Sequence, residues 1–171
     1  MNISVDAIAN FGEQSGIAAI MNSTWGWPAA ESIHFIGLSL LVGAVWLFDL
    51  RLLGMAKSIP IAALHRLVPW GVLGYALNVA TGAMFFISAP DQYLYNPAFQ
   101  LKVLCMLVAG VNMAVFYLTA SVRVKALTPG EKTPLAGKLI AIVSLSSWIG
   151  VITFGRLITF YRPPEHWCFW C

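Results

Sequence analysis

The 171-residue chain has too few charged side chains to cover a water-facing surface: 10% of its residues are charged and 59% are hydrophobic. Because a soluble domain carries roughly 25% charged residues, this composition excludes an ordinary soluble protein and places most of the surface in lipid. The net charge of +3 is too small and too scattered to indicate nucleic-acid binding, and three cysteines are too few for a disulfide scaffold.

Residues 1–28 do not have the pattern of a cleaved secretory signal, since they contain Asp6 and Glu13 but no Lys or Arg. Their apolar residues recur at helical spacing. We therefore expect one or two short amphipathic segments that lie on the membrane surface.

Four apolar stretches are long enough to cross a bilayer, which takes about 20 residues of helix. They are residues 29–54, 67–89, 99–122 and 138–161. Proline-containing breaks separate them, and Asn96-Pro97 places a proline in the first turn of the third stretch, where it is tolerated. The sequence therefore predicts an all-α integral membrane protein, an up-down bundle of four transmembrane helices over residues 29–161, followed by a tail at residues 162–171.

Basic residues are distributed unevenly between the two predicted sides of the membrane. Seven of the ten Lys and Arg lie in or beside the first–second and third–fourth connections: Arg51, Lys57, Arg66, Arg123, Lys125, Lys132 and Lys138. Because cytoplasmic connections are enriched in Lys and Arg, we expect both to face the cytoplasm. The protein should then lie in a bacterial inner membrane, with the N-terminus and the C-terminus in the periplasm.

Ionisable side chains inside a span cost roughly 2.5–3.5 kcal/mol on insertion scales, so each needs a partner. Glu31 and His34, three residues apart and so on one helix face, lie near the outer end of the first helix. Lys102, Arg156 and the loop residue Asn96 should lie at a similar depth. Turned inward, these five residues would form a polar pocket in the outer leaflet. Alternatively, the charges simply pair and hold the bundle together.

A second polar layer consists of Asp49 and Arg51, near the cytoplasmic end of the first helix. His34 and Arg51 are 17 residues apart, which corresponds to roughly 25 Å of helix, so the two layers are distinct. Long side chains near span ends snorkel to the interface, and we expect this pair to be structural.

His34 has three interpretations: a hydrogen-bonded packing residue, an axial ligand to haem or another metal, or a proton-handling group. Met84 and Met106 have a suitable depth for a second ligand, although methionines in helices mostly fill packing gaps. The cofactor is therefore unknown, and haem b and copper both stay open.

The tail contains His166, Cys168 and Cys171, a Cys-x-x-Cys pair with a nearby histidine. Such a pair can be redox-active or bind a metal. The pair has no second half-site, and the aromatic residues around it favour an interfacial anchor or contact with a partner subunit.

Several short motifs occur in a defined order along the chain. They are Trp27-Pro28, Glu31-Ser-Ile-His34, Asp49-Leu-Arg51, Thr81-Gly82, Tyr95-Asn96-Pro97, Lys102 and Gly155-Arg156. Over nearly the whole chain this pattern resembles an uncharacterised family of small four-helix bacterial inner-membrane proteins, and only the tail departs from it. The resemblance implies the fold and singles out the same polar residues. More distantly, the chain is similar to CopD-type copper-resistance proteins and to b-type cytochrome four-helix bundles.

Two functions are consistent with these residues. The first is a non-catalytic accessory subunit of a larger redox assembly, respiratory or photosynthetic, because the chain has no nucleophile–base constellation and no soluble domain. The alternative is a small electron-transfer or haem- or metal-binding protein, with His34 as a ligand and with Lys102 and Arg156 facing propionates or a quinone head. A proton or solute pathway is weaker, because the polar layers are far apart. The expected partners are the lipid bilayer and either a larger membrane complex or a second copy of the chain, and we expect no enzymatic activity.

Overall fold

The computed structural model describes residues 3–55, 57–125, 127 and 130–162, and within these ranges all regular structure is helical. A π-helical turn, Phe116–Ala120, joins two of the helices. In chain order the helices are α1 (Ile3–Gln14), α2 (Ile17–Met21), α3 (Gly26–Leu53), α4 (Ile61–His65), α5 (Val68–Ser88), α6 (Pro90–Leu94), α7 (Pro97–Val115), α8 (Ser121–Lys125) and α9 (Leu135–Leu157).

Four segments are long and apolar enough to cross a membrane, which confirms the four predicted spans. They are Gly26–Leu53, Ala63–Ser88, Pro97–Val124 and Leu135–Leu157. Each begins two to four residues before the predicted start, because helical geometry extends over turns whose composition is mixed. In α3, for example, Trp27 and Pro28 belong to the first helical turn, where a proline has no lost hydrogen bond.

α3 and α5 approach each other so closely that their backbones touch. A Cβ atom added to Gly74 would lie 2.5 Å from the carbonyl oxygen of Gly37, and one added to Gly37 would lie 2.9 Å from the carbonyl oxygen of Gly74. Small residues at a membrane helix crossing allow this approach, and dispersion contacts then hold the pair together. His34 and Thr81 meet farther along the same interface.

α7 and α9 are joined by two asparagine amides. Asn96 Nδ2 donates to the carbonyl oxygen of Ile158 at 2.9 Å, and Asn112 Nδ2 donates to that of Ile140 at 3.0 Å. These bonds pair the start of α7 with the end of α9, and the middle of α7 with the start of α9. In lipid, where water cannot satisfy an amide, such bonds fix the register of the two helices.

The two helix pairs meet where α3 packs on α9. α5 meets α7 where the rings of Phe86 and Phe99 stack at a centroid distance of 5.7 Å, and elsewhere along their described lengths these two helices make few contacts. A buried apolar cluster closes the end of the molecule that carries the two Lys- and Arg-rich connections, and we call this end the basic end. It contains Leu52, Ile61, Phe116, Ala120, Val124 and Ala141, from α3, α4, the π turn, α8 and α9. The gap between α5 and α7 therefore begins beside a closed end.

The N-terminal helices pack on the bundle at the end opposite the basic end. α1 and α2 both contact α5, and a Cβ added to Gly12 would lie 2.9 Å from the carbonyl oxygen of Ile87. Met21, the last residue of α2, is buried, with 1% of its surface exposed. This segment is thus helical as expected, and its position on a membrane surface stays a prediction.

Candidate functional site

His34 is fixed by a hydrogen bond across the α3–α5 interface. Its Nδ1 atom lies 2.7 Å from the Thr81 hydroxyl, and that hydroxyl donates to the carbonyl oxygen of Leu77 at 2.6 Å. A hydroxyl has one proton and a carbonyl oxygen can only accept, so His34 Nδ1–H is the donor to Thr81. The ring is therefore oriented by α5, and it also packs against Phe85 at a centroid distance of 5.7 Å.

The other residues of the predicted outer pocket are not joined by ion pairs. Lys102 is half-buried and passes across Gly155, with its Nζ 3.8 Å from a Cβ added there. Glu31 is exposed. Arg156 is also exposed, and its guanidinium lies 5.5 Å from the ring centroid of Phe160. Among the described residues, the structure records no salt bridge between these three charges, so a shared pocket stays a prediction.

Asn96, the fifth residue of that set, has a structural role. It is fully buried, and its side-chain oxygen caps α7 by accepting hydrogen bonds from the backbone amides of Ala98 at 3.0 Å and Phe99 at 3.3 Å. Its amide nitrogen donates to Ile158, as described above. The side-chain oxygen thus accepts two hydrogen bonds and the amide nitrogen donates one, which leaves a single N–H proton of this side chain unused within the fold.

Tyr93, in α6, lies among the charges at this end of the molecule. It packs against Phe99 and Phe86, at centroid distances of 5.4 and 6.4 Å. Burial raises the pKa of the Tyr93 phenol above its ordinary value. The negative charge of Glu31 also raises this pKa, whereas the positive charge of Arg162 lowers it. Only the fold brings Glu31 and Arg162 near this phenol.

Asp49 and Arg51 are both buried but do not pair with each other. Residues two apart on a helix point to different faces, and the Arg51 Nε–H donates to the carbonyl oxygen of Ile59 at 2.8 Å. Arg51 is 0% exposed, so the expectation that it snorkels to the interface is wrong. The loop after α3 folds back over the guanidinium and takes it out of solvent.

The carboxylate of Asp49 faces α9. The side chain is 4% exposed and hydrogen-bonds with the hydroxyl of Ser144, while its Oδ2 atom is buried and has no hydrogen-bond partner. Buried polar atoms in proteins are nearly always satisfied, so an unmet carboxylate oxygen inside an apolar span requires an explanation.

A cavity of about 320 Å³ adjoins Asp49, between α3, α5, α7 and α9. Its wall is mostly apolar, and its polar groups include Asp49, Asn112 and Ser144. Some of the lining side chains are also exposed on the outside of the bundle, in the gap between α5 and α7: Val72, Tyr75, Met113 and Tyr117. The sequence did not predict this cavity, because no local pattern shows which helices of a bundle fail to pack.

A cofactor held by His34, Met84 and Met106 stays a prediction. Met106 lines the cavity, whereas His34 and Met84 do not. Within the ranges that the structure describes, no group of three or more His, Cys, Asp or Glu side chains could hold a metal ion. His166, Cys168 and Cys171 lie outside the described residues.

Replacing Thr81 with Val should destabilise the protein by about 0.6 kcal/mol and by no more than about 1.7 kcal/mol, the range measured for hydrogen bonds between membrane helices. The His34→Phe variant should have a similar cost, and the double variant should cost less than the sum, because one bond is lost in each case. Reversible unfolding in mixed micelles measures all three. Strictly additive effects would show that the 2.7 Å contact contributes nothing.

No curated protein and no solved structure matches the chain. The distant similarity to CopD-type proteins and to b-type cytochromes therefore has no support, whereas the resemblance to an uncharacterised family does. A family model described as a family of unknown function, DUF6644, matches residues 11–161, and the chain therefore belongs to the DUF6644 family.

Proposed function

We propose that this protein is a non-catalytic membrane subunit that holds a small lipid-soluble molecule in the cavity between α5 and α7, on behalf of a larger redox assembly of the bacterial inner membrane. In this proposal the four spans form an up-down bundle, both termini are periplasmic and the basic end faces the cytoplasm. The uneven distribution of Lys and Arg supports this orientation.

The cavity is the single observation that carries the proposal. Its volume of about 320 Å³ is at the lower end of the roughly 300–1,000 Å³ typical of small-molecule sites, and such sites combine apolar walls with a few polar groups. The cavity does not include His34, and the described ranges offer no metal cluster. A bound lipophilic molecule therefore fits the geometry better than haem or copper at His34.

The cavity is polar toward the basic end and apolar toward the middle of the bundle, as an amphiphile in one leaflet is polar at its head and apolar along its tail. Asp49 and Ser144 lie toward the basic end. Leu41 is eight residues before Asp49 on α3, roughly 12 Å deeper in the bundle, and Met106 and Trp148 line the deeper part as well. A molecule with a polar head near the membrane surface and an apolar body toward the bilayer centre matches this gradient.

The gap between α5 and α7 provides a route from the lipid phase into the cavity. Val72 and Met113, on the two facing helices, line the cavity and are 62% and 60% exposed, respectively. A lipophilic ligand can thus enter sideways from the bilayer without crossing water, which would be costly for its apolar surface.

Replacing Gly110 with Leu should remove the bound molecule without unfolding the protein. Gly110 lines the cavity, and a Cβ added to it has no atom within 4 Å, so a larger side chain extends into open space. The matched control is Gly43→Leu, on α3, where a Cβ is equally free and which does not line this cavity. We expect organic extraction and mass spectrometry to recover about one molecule per wild-type or Gly43→Leu protein, and less than about a tenth of that from Gly110→Leu.

Two outcomes would contradict the proposal. One is wild-type protein that, after thorough detergent washing, carries only bulk lipid in proportions that match the membrane. The other is a Gly110→Leu variant that keeps the molecule at the wild-type level while it unfolds at the same temperature.

A further inference from the structure

We infer that Asp49 anchors the ligand by accepting a hydrogen bond from a hydroxyl group, so that the occupant of the cavity is a long-chain alcohol or a quinol. This inference rests on the proposed function, since it specifies the head group of the molecule that the cavity holds. The juxtaposition that carries it is an unsatisfied, buried carboxylate oxygen on the wall of an otherwise apolar cavity.

One oxygen of Asp49 has a partner within the protein and the other does not. Ser144 hydrogen-bonds with the side chain, whereas Oδ2 has no donor although the residue is 96% removed from solvent. Leaving a buried oxygen without a hydrogen-bond partner costs the full desolvation of that group. A donor supplied from the cavity would remove that cost.

The neighbouring polar side chains do not supply this donor. Arg51 lies on another face of α3 and donates from Nε to Ile59, and the amide nitrogen of Asn112 donates to Ile140. His65 lines the cavity as well, with its ring against Phe48 at a centroid distance of 5.7 Å. None of these groups makes a hydrogen bond to Asp49 Oδ2 in the described structure.

A neutral hydroxyl fits this site better than a cationic head. The basic end of the molecule carries positive charges on the surrounding surface, among them Arg66 and Arg123, and these repel a cation that approaches from the same side. An ammonium group would also lose its hydration on entering an apolar gap, a cost that a hydroxyl largely avoids. A hydroxyl bonded to a carboxylate nevertheless forms one of the stronger hydrogen bonds in proteins.

A quinol and its quinone would interact differently with Asp49. A quinol carries hydroxyl donors, whereas a quinone presents only carbonyl acceptors, which would face the Asp49 oxygen without any attraction. The site should therefore bind a quinol more tightly than its quinone. It should bind a long-chain alcohol as tightly as the quinol.

The test compares two probes, farnesol and farnesyl methyl ether, of which only farnesol has a hydroxyl donor. Each probe is titrated against the purified full-length protein in detergent by equilibrium dialysis. We expect wild-type protein to bind farnesol about tenfold more tightly than the ether. Asp49→Leu should bind both equally, at the affinity that the wild type has for the ether. Gly43→Leu, which lies outside this cavity, should keep the preference.

Asp49→Asn provides a second variant in case the leucine disturbs the fold. It keeps one acceptor oxygen without the charge, and we expect the preference to fall to about threefold. Equal affinities of the wild type for alcohol and ether would overturn the anchor. If Gly110→Leu then still abolished both, the proposed binding function would stand alone. Binding of neither probe by the wild type would overturn the anchor and count against the proposed function.

Finding the natural source is a separate arm of the same experiment. Mass spectrometry of the molecule extracted from wild-type protein distinguishes a prenyl quinol from a lipid alcohol by mass and by ultraviolet absorption. Recovery of a ligand without any hydroxyl group would overturn the inference while leaving the cavity as a binding site.

Discussion

Replacing Gly74 with Ala should destabilise the protein by about 3 kcal/mol, because one added methyl group forces two packed helices apart. The added carbon would lie 2.5 Å from the carbonyl oxygen of Gly37 and 2.7 Å from the backbone nitrogen of Leu41. Both of these are backbone atoms of α3, which cannot rotate away as a side chain can, so the two helices must separate. Separation would weaken dispersion contacts along the whole α3–α5 interface and strain the bond between His34 and Thr81.

Gly43→Ala is the matched control, since a Cβ there has no neighbour within 4 Å. It should change the free energy of unfolding by no more than about 1 kcal/mol, and its sign should be favourable because alanine is the better helix former. Equilibrium unfolding in mixed micelles, followed by circular dichroism, compares the two variants. Equal stabilities of Gly74→Ala and Gly43→Ala would show that the helices do not cross as closely as described.

Replacing Asn96 with Ala should cost about 2–4 kcal/mol, because one side chain performs two functions. Losing the N-cap leaves the amides of Ala98 and Phe99 without their acceptor, at a cost of about 1 kcal/mol. Losing the amide nitrogen leaves the carbonyl oxygen of Ile158 without its donor, and a buried unsatisfied group costs about 1–3 kcal/mol.

Asn112→Ala separates these two contributions. Asn112 also links α7 to α9, by one bond to Ile140, but it lies in the helix interior and caps nothing. Its loss should cost about 0.6–1.7 kcal/mol. If the Asn96 variant proved no less stable than the Asn112 variant, the cap would contribute nothing and the start of α7 would be held by its proline alone.

The four spans were predictable because their signal is local and long. An apolar segment of 18 or more residues identifies itself whatever its neighbours are, and Asn96-Pro97 shows where α7 begins, since both residues suit a helix start. The depth of Glu31, His34 and Lys102 also follows from their position in a span. None of these inferences depends on how the helices are rotated about their axes.

The unpredicted features all depend on that rotation. The bond between His34 and Thr81 joins residues 47 positions apart, and Asp49 reaches Ser144 on a helix nearly a hundred residues later. Arg51 lies near the end of a span, where a long basic side chain is expected to reach the interface, and only the path of the following loop buries it. The cavity depends on the sparse packing between α5 and α7, which touch at Phe86 and Phe99, and a sequence pattern does not indicate where two helices fail to pack.

The π turn at Phe116–Ala120 changes the phase of the third span beside the cavity. A π turn contains one residue more than an α turn, so the helix after it is rotated relative to the helix before it. Two consecutive rings of this turn, Phe116 and Tyr117, line the cavity. The direction in which residues after the turn point is thus set by the number of residues in the third span as well as by their chemistry.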